Sequence, residues 1–542
     1  MNKNIRNRIM ATGLMLGLSC ALAWPAAAET AAAPPEYLKA VTYASDAWVI
    51  NFWNTESDHM EEELAQIAAD GFNSIILVIP WREFQPGTNP VSYNNYAFEK
   101  LDVIMRAAGQ QGLWVELRVS YTWDYYEEEE SRLRFRRLLG DARLRQAWLD
   151  YVKKIYDTVS EYPNYHGGFI TWEDFWNYME DATGFGTGRD SIEEARRIGL
   201  QDYLQKYYTL EELNQYYRPL RSFYSFQEVY MPSRQSPAYK LLFEYYDEYL
   251  IQLLQEAQQV FPNLSMEVRL DVDPVNGLDG EAVGAHHFRT FPCGDADYTS
   301  LMYSVSMGQV NKGEKITAAQ ALAAADAQLN VVKVHNGNKP IFIDQLLYMD
   351  STEEFHYNAQ ILEEERNTFI TSLPEILIKY TNGYAVWSYW NYTNNPVYNS
   401  QFALGDRGWT VSRGKVVERE GSNQMKLESS GSLSQKIGAR IEGKKTHQNH
   451  VRFVADSDEA ATLYVELGRV TKEVQINGKK QYDLNFGQLE YTEVTFRTTK
   501  ASVCLDNIEV YNFIQDGQLH DIDGNELSGM SAIRTLNQLL PN

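Results

Sequence analysis

Cysteine is scarce in this chain of 542 residues, which contains three. Cys20 lies in an apolar N-terminal segment, whereas Cys293 and Cys504 lie far apart in the sequence. Two distant cysteines do not make a disulfide framework, and the chain has no cysteine spacing typical of a zinc or redox site. We therefore expect two buried free thiols.

Positive charge is also in deficit, because 49 Lys and Arg stand against 73 Asp and Glu, for a net charge of −24. A field of this sign repels phosphate backbones and anionic lipid headgroups. After the N-terminal segment the sequence shows no further long apolar run of the kind that spans a membrane. Nucleic acid and membranes are therefore excluded as expected partners.

The first 28 residues have the pattern of a secretory signal peptide. Lys3, Arg6 and Arg8 form a basic start, an apolar run follows over 10–24, and small residues occupy 26–28. This apolar run is short for a membrane span. We expect the chain to be exported by this signal peptide, to the periplasm or the extracellular space.

Aromatic residues are abundant, with 36 Tyr, 22 Phe and 12 Trp. Such rings fill hydrophobic cores, but they also form the flat faces on which sugar rings stack. The positions of the rings along the chain decide between these two uses.

Short β-rich segments alternate with amphipathic helical segments over residues 40–405. Eight strand-then-helix units predict an α/β fold of the (β/α)8 TIM-barrel type rather than an open doubly wound sheet. The eight predicted strands are 48–52, 74–79, 113–119, 168–172, 264–270, 298–305, 341–343 and 384–388.

Three segments depart from the barrel pattern. A Tyr-rich helical insertion at about 190–260 separates the fourth and fifth strands, and we expect it over the barrel mouth. Residues 409–512 alternate with period two between close turns, which predicts an antiparallel β-sandwich. The returning segment 513–542 has a helical pattern over 532–541. We expect this helix to be the eighth of the barrel, with the sandwich inserted before it.

The fourth predicted strand ends with carboxyl side chains among indole rings. Glu173 and Asp174 lie between Trp172 and Trp176. In this fold the reacting groups come from the C-terminal ends of the strands. A partly desolvated carboxyl has a raised pKa, which suits proton donation to a leaving oxygen.

The seventh predicted strand supplies a second carboxyl, Asp344, followed by Gln345. Two carboxyl groups facing each other from different strand ends are what cleavage of a glycosidic bond needs. One protonates the departing oxygen, and the other attacks the anomeric carbon or activates water. Carboxyl groups at strand ends also cap helices, so a single match is weak. The two matches together predict a sugar-active site.

Further polar and aromatic residues lie at the other strand ends. We expect Arg118 to orient a catalytic carboxylate, Glu116 and Glu267 to form structural ion pairs, and Tyr303 to support catalysis. Asp271 is a candidate for substrate binding, and without nearby His or a calcium-loop spacing it predicts no metal site. The expected sugar platforms and their polar neighbour are Trp81, Trp123, Trp172, Trp176, Trp387, Trp390 and Asn391.

With these residues, the barrel resembles the clan of retaining (β/α)8 glycoside hydrolases that includes the cellulase, β-galactosidase and β-glucanase types. The resemblance implies that Glu173 is the acid/base, Asp344 the nucleophile and Trp387 the floor of the sugar subsite, with no cofactor. "Trp-Glu-Asp" stands where Trp-Asn-Glu is common in the clan, so Asp174 is an alternative acid. Similarly, Gln345 is an alternative occupant of the nucleophile position. The sandwich resembles a carbohydrate-binding module, and a structural buttress for the barrel is the alternative role.

The leading hypothesis is an exported glycoside hydrolase acting on a polysaccharide, such as an exopolysaccharide or a β-glucan. The alternative is a non-catalytic glycan-binding protein in exopolysaccharide production or export. A third hypothesis is a lyase with Tyr303 or Tyr348 as its base, which the missing basic cluster disfavours.

Overall fold

The computed structural model describes most of the chain beyond the N-terminal segment. The described residues are 33–56, 59–121, 134–135, 137–171, 175, 189–270, 272–305, 314–348, 359–437, 448–512, 514–515 and 519–542.

Eight parallel strands close into a barrel in which each strand pairs with its neighbours in chain order, and the last strand pairs with the first. The predicted (β/α)8 barrel is therefore confirmed. The strands are β1 (Leu38–Thr42), β2 (Ser74–Pro80), β3 (Trp114–Tyr121), β4 (Tyr165–Thr171), β5 (Ser265–Val268), β6 (Thr299–Ser304), β7 (Ile341–Leu347) and β8 (Thr381–Val386).

The prediction of the first strand was wrong. Residues 48–52 do not pair with the barrel, and Asn51–Asn54 form a 3-10 turn in the loop after β1. The first strand is the shorter segment Leu38–Thr42, whose five residues are all buried between β2 and β8. Leu38–Thr42 forms the strand because it pairs with β2 on one side and with β8 on the other. This pairing depends on the tertiary structure, so the local content of apolar residues does not predict it.

Helices surround the barrel and cover the outer faces of its strands. They are α1 (Met60–Ala69), α2 (Trp81–Phe84), α3 (Asn95–Gln110), α4 (Ala142–Val159), α5 (Arg189–Arg197), α6 (Leu200–Tyr207), α7 (Leu210–Tyr217), α8 (Tyr239–Gln258), α9 (Ala318–His335), α10 (Arg366–Ser372), α11 (Pro374–Tyr380) and α12 (Met530–Leu539). Among the described residues, none of these helices combines the length and apolarity needed to cross a membrane.

The helix α12 packs where the eighth barrel helix belongs. Its Asn537 accepts a hydrogen bond from Tyr384 of β8 at 2.7 Å, and its backbone carbonyl accepts one from Lys39 of β1 at 3.1 Å. Ile533 and Leu536 are buried against the barrel. This helix therefore covers the seam between the last and first strands, although it follows the antiparallel domain in the chain.

The antiparallel domain consists of eight strands around its own apolar core. The long strand β10 pairs with β15 through one part and with β16 through another, so the two halves of the domain are joined through it. The strands are β9 (Thr410–Arg419), β10 (Ser422–Lys436), β11 (Asn449–Asp456), β12 (Ala461–Leu467), β13 (Val470–Ile476), β14 (Lys480–Gly487), β15 (Glu493–Thr498) and β16 (Val503–Tyr511).

Shorter elements lie in the connections. The two-stranded ladders pair Gly87–Thr88 with Val91–Ser92, Asp273–Asn276 with Ala282–Ala285, Lys315–Ile316 with Gln360–Ile361, and Tyr392–Thr393 with Ile514–Gln515. The remaining 3-10 turns are Phe226–Glu228, Phe288–Thr290 and Glu363–Glu365.

A buried histidine fastens the hairpin after β5 to the long helix α8. His287 Nδ1 lies 2.8 Å from Asp247 of α8, and its Nε2 lies 3.1 Å from Asp273 of the hairpin. Burial lowers the pKa of His287, but the two carboxylates outweigh burial and raise it to about 9. The imidazolium therefore bridges two elements that the sequence separates.

This bridge predicts a stability that depends on pH. The folded-state pKa lies above the ordinary value of 6.5, so the stabilisation is complete below about pH 6.5 and is lost as the pH rises through about 9. Its size is on the order of 3 kcal/mol. In urea unfolding, the His287 bridge should make the free energy of unfolding of the wild-type protein larger at pH 6 than at pH 10. His287→Gln should lose most of this difference, whereas the exposed control His59→Gln should keep it. An unchanged difference in His287→Gln would contradict the bridge.

Candidate active site

The lower part of the barrel interior is closed by apolar side chains. They pack as one small cluster inside the ring of strands: Leu38, Ala40, Ile76, Phe169, Tyr298, Phe342 and Ala385. Below this layer Glu116 accepts hydrogen bonds from Tyr298 and lies 2.8 Å from His166 Nδ1. Polar groups that act on a ligand must therefore lie above the layer, towards the C-terminal ends of the strands.

Asp344 is two residues past Phe342 of this layer on β7, so alternation directs it to the barrel interior, and an irregularity in the strand brings Gln345 to the same place. Ile343 pairs with Leu301 and Gln345 pairs with Met302, so Asp344 is an extra residue on its strand. Such a β-bulge re-aims the side chains around it. As a result, Asp344 and Gln345 both lie next to Glu267 of β5.

The carboxyl group of Asp344 is fully buried, with 0% of the residue exposed. Burial raises the pKa of Asp344 well above its ordinary value, and the charge of Glu267 raises it further. Arg118 acts in the opposite direction but does not cancel these effects. The site therefore favours the protonated form of Asp344, as expected when two carboxyls share a buried site.

The neighbouring Glu267 is held by two donors. Arg118 Nη2 lies 3.7 Å from Glu267 Oε2, and the side-chain amide of Gln345 donates to the same oxygen at 3.2 Å. A guanidinium and an amide both favour the ionised form of a carboxyl group. The site thus contains two neighbouring buried carboxyl groups, of which Glu267 is the one that contacts a guanidinium and an amide.

Four aromatic residues form a wall above Arg118, which we call the aromatic wall: Trp48, Tyr121, Trp387 and Tyr392. The guanidinium of Arg118 lies 4.9 Å from the ring centre of Tyr121 and 5.6 Å from that of Trp387. Trp48 contacts the other three rings, at 4.8 to 6.2 Å between centroids. The peptide bond between Trp387 and Ser388 is cis.

A second bulge brings Tyr121 into this wall. Ile79 pairs with Val119 and Pro80 pairs with Tyr121, so Ser120 is the extra residue, and its φ is +71°. The Ser120 hydroxyl accepts a hydrogen bond from Trp148 of α4 at 2.8 Å. Strict alternation would place Tyr121 on the outer face with Val119. The bulge instead turns its ring towards the barrel axis and Arg118.

Of the predicted site residues, the structure brings Asp344, Gln345 and Arg118 together around Glu267, and Trp387 covers Arg118. Several other predicted residues lie outside the described part of the chain, so their roles stay predictions: Trp123, Trp172, Glu173, Asp174, Trp176 and Asp271. Among the residues that are described, no three His, Cys, Asp or Glu side chains are grouped in a way that would hold a metal ion.

Three of the expected sugar-binding residues lie elsewhere. Trp81 is 1% exposed, donates to Gln85 at 2.7 Å and packs against Phe135 in the outer core. Trp390 packs against Tyr389, with ring centres 4.3 Å apart, rather than in the aromatic wall. Asn391 is buried, and its backbone N–H donates to the carbonyl of residue 520. These placements correct the expectation of open sugar platforms at these positions.

The tyrosines considered as bases are also placed away from the site. Tyr303 lies with Leu301 on the outer face of β6, and burial raises its pKa. Tyr348 lies near α12, where a Cβ at Gly529 would meet its hydroxyl at 2.7 Å, and burial raises its pKa to about 12. Neither residue is poised to remove a proton from a sugar, which removes the basis of the lyase hypothesis and of a supporting role for Tyr303.

Sequence reasoning missed the contributions of Glu267, Trp48, Tyr121 and Tyr392. Trp48 was assigned to a strand, and Glu267 was expected to be a structural ion-pair member without its link to Asp344. One available signal was the polar alternation Glu267-Val268-Arg269, which places Glu267 inside a barrel.

No family model matches the chain, and no curated protein matches it. Solved structures to which it is similar include a beta-galactosidase from the psychrophilic Marinomonas ef1, at 12% identity and a TM-score of 0.45, covering 65% of this chain and 54% of that one. A beta-galactosidase from Bacillus circulans sp. alkalophilus has 12% identity and a TM-score of 0.45, covering 66% and 51%. GH5_18 from Streptomyces cattleya, in complex with GlcNAc, has 14% identity and a TM-score of 0.41, covering 66% and 72%. The chain thus matches about half the length of the two beta-galactosidases.

Proposed function

We propose that the protein is a glycoside hydrolase that cleaves glycosidic bonds of a polysaccharide. The observation that carries the proposal is the pair of neighbouring buried carboxyl groups, Asp344 and Glu267, at the C-terminal end of the barrel beside Arg118 and the aromatic wall. A neutral carboxyl group can donate a proton to a departing glycosidic oxygen. The aromatic rings provide apolar faces for the sugar.

The protonation of Asp344 bears on its role. A nucleophile must be ionised, whereas burial and the charge of Glu267 raise the pKa of Asp344 and so favour its protonated form. We therefore propose Asp344 as the proton donor, in place of the nucleophile role that the resemblance implied. Glu173 or Asp174, from the end of the fourth strand, would then attack the anomeric carbon or activate water.

In the first step, the proton of Asp344 moves to the glycosidic oxygen as the bond between that oxygen and the anomeric carbon breaks. The second carboxylate or its activated water forms the new bond to the anomeric carbon. Arg118 and Gln345 contact Glu267, and the charge of Glu267 raises the pKa of Asp344. A retaining course predicts that the first product anomer has the configuration of the substrate, which NMR of the early product would reveal.

The test is release of reducing ends from a panel of bacterial and plant glucans, galactans and exopolysaccharides. We expect the wild-type protein to release reducing ends from at least one of them. Binding of a glycan without any release would contradict the enzyme and support the non-catalytic glycan-binding alternative. The complete burial of Asp344 is the observation that favours this alternative, since a reacting group must reach its substrate.

Export also belongs to the proposal, since a polysaccharide substrate lies outside the cytoplasm. It is supported by the basic start and apolar run of residues 1–28. Fractionation of expressing cells should recover the protein from the periplasm or the medium, in a form shortened at its N-terminus. Recovery of the uncleaved chain from the cytoplasm alone would contradict it.

A further inference from the structure

A cavity of about 460 Å³ lies between the loop after β1 and the antiparallel domain. This volume is within the usual range of small-ligand sites. From the barrel side it is lined by Asp46, Trp48 and Asn51. Asn395 and Gln401 line it from the segment between β8 and β9, which we call the linker. The antiparallel domain contributes Arg452, Gln481, Asp483, Asn507 and Glu509 to the lining.

Hydrogen bonds hold the walls of this cavity in place. The side chain of Asn395 accepts from the backbone N–H of Val510 at 3.0 Å, and Asn394 and Asn512 exchange hydrogen bonds at 2.6 and 3.0 Å. Asn51 donates to the carbonyl of Val397 at 2.7 Å. The linker is thus fastened to β16 on one side and to the loop after β1 on the other. A cavity framed in this way keeps its shape before a ligand arrives, which reduces the entropic cost of binding.

The charges of the lining select against an anionic ligand. Among the described residues that line the cavity, Arg452 is the only Lys or Arg. Its guanidinium already contacts Glu509 at 3.2 Å and Asp483 at 3.5 Å, and Asp46 adds a further acidic group. Burial raises the pKa of Glu509 to about 7, with Arg452 acting against it. A uronate or phosphate would therefore meet carboxyl groups and no free positive charge.

The same lining suits the hydroxyl groups of a sugar. Each hydroxyl both donates and accepts, and it can pair with carboxylate oxygens and with side-chain amides such as those of Gln401 and Gln481. The indole of Trp48 adds the apolar face on which the C–H side of a sugar ring packs.

Trp48 also connects the cavity to the candidate active site. Its ring lines the cavity and lies 6.2 Å from Trp387 and 6.0 Å from Tyr121. Both of these rings cover Arg118, which contacts Glu267. Trp48 therefore belongs both to the cavity lining and to the aromatic wall, so the cavity adjoins the candidate active site.

We propose that this cavity is a sugar subsite shared by the barrel and the antiparallel domain, and that it takes a ring of the glycan that carries no negative charge. The inference rests on the proposed function for the identity of the ligand as a glycan. It gives the antiparallel domain a binding role in the same cleft, through its strands β11, β14 and β16.

The test measures binding of three defined probes by titration calorimetry: cello-oligosaccharides as neutral chains, chitosan oligosaccharides as amine-bearing chains, and oligogalacturonides as acidic chains. We expect a neutral or an amine-bearing probe to bind and the acidic probe not to bind. Gln481→Trp fills the cavity from an exposed position and should weaken binding about tenfold or more. Gln475→Trp, at an exposed position on β13 that does not line the cavity, is the matched control and should bind as the wild type does.

Equal affinities of Gln481→Trp and Gln475→Trp would overturn the subsite, as would binding of the acidic probe alone or of none of the three. The catalytic proposal is tested separately. Hydrolysis by wild type with equal binding by both variants overturns only the subsite. Weakened binding in Gln481→Trp without hydrolysis of any glycan overturns only the enzyme and leaves the cavity as a glycan-binding site.

Discussion

Replacement of Asp344 by asparagine should lower the rate of glycan cleavage by about a hundredfold to ten-thousandfold, the usual contribution of a general acid. The asparagine side chain has nearly the same size, but it has no acidic proton to transfer. The raised pKa of Asp344 means that its burial costs stability at neutral pH, and asparagine relieves this cost. The free energy of unfolding should therefore not fall, and kcat should carry the loss.

The measurement is initial-rate release of reducing ends from the glycan that the wild-type protein cleaves. Asp297→Asn is the matched control. Asp297 lies just before β6, and its side chain is exposed, whereas that of Asp344 is buried. Its activity should equal that of the wild type. Full activity in Asp344→Asn would show that Asp344 is not a reacting group.

Replacement of Arg118 by methionine should have the largest effect on stability, with a loss of about 3–5 kcal/mol. Methionine fills much of the space of the arginine side chain, but it removes the guanidinium that lies 3.7 Å from the buried carboxyl group of Glu267. A buried charge that loses its partner keeps its desolvation cost without the compensating attraction. Urea unfolding at pH 7 measures the loss.

The comparison variant is Arg137→Met, which removes an ion pair with Asp141 on an exposed helix surface. Exposed pairs contribute about 0–1 kcal/mol, so this variant should unfold close to the wild type. The loss in Arg118→Met should shrink as the pH falls and the carboxyls become protonated. A loss that is equal for the two variants would mean that the buried pair contributes no more than a surface pair.

The barrel was predictable from sequence because most of its strands are continuous apolar runs. Ser74–Pro80 and Ile341–Leu347, for example, are bounded by helical segments that leave few alternatives. Leu38–Thr42 is short, and helical segments do not bound it in the same way. The more apolar 48–52 segment lies in a loop. Which of the two closes the barrel depends on pairing with β2 and β8, and this information is not local.

The candidate site was predictable only in part, for a reason that its two bulges make clear. The sequence placed Asp344 at the end of a strand, because carboxyl groups after an apolar run are visible as a pattern. It did not show that Asp344 and Ser120 are extra residues in their ladders. These two irregularities break the period of two on which the sequence argument depends. The approach of Glu267 and the inward turn of Tyr121 therefore had to come from the structure.

The position of α12 after the antiparallel domain makes the barrel a discontinuous domain. During synthesis the eight strands emerge first, yet the helix that seals the seam between β8 and β1 emerges after residue 512. The barrel consequently stays unsealed while the antiparallel domain is being made. A truncation at residue 405 would remove α12 together with the antiparallel domain. Transfer of the antiparallel domain to another protein would therefore have to preserve its connections to β8 and to α12.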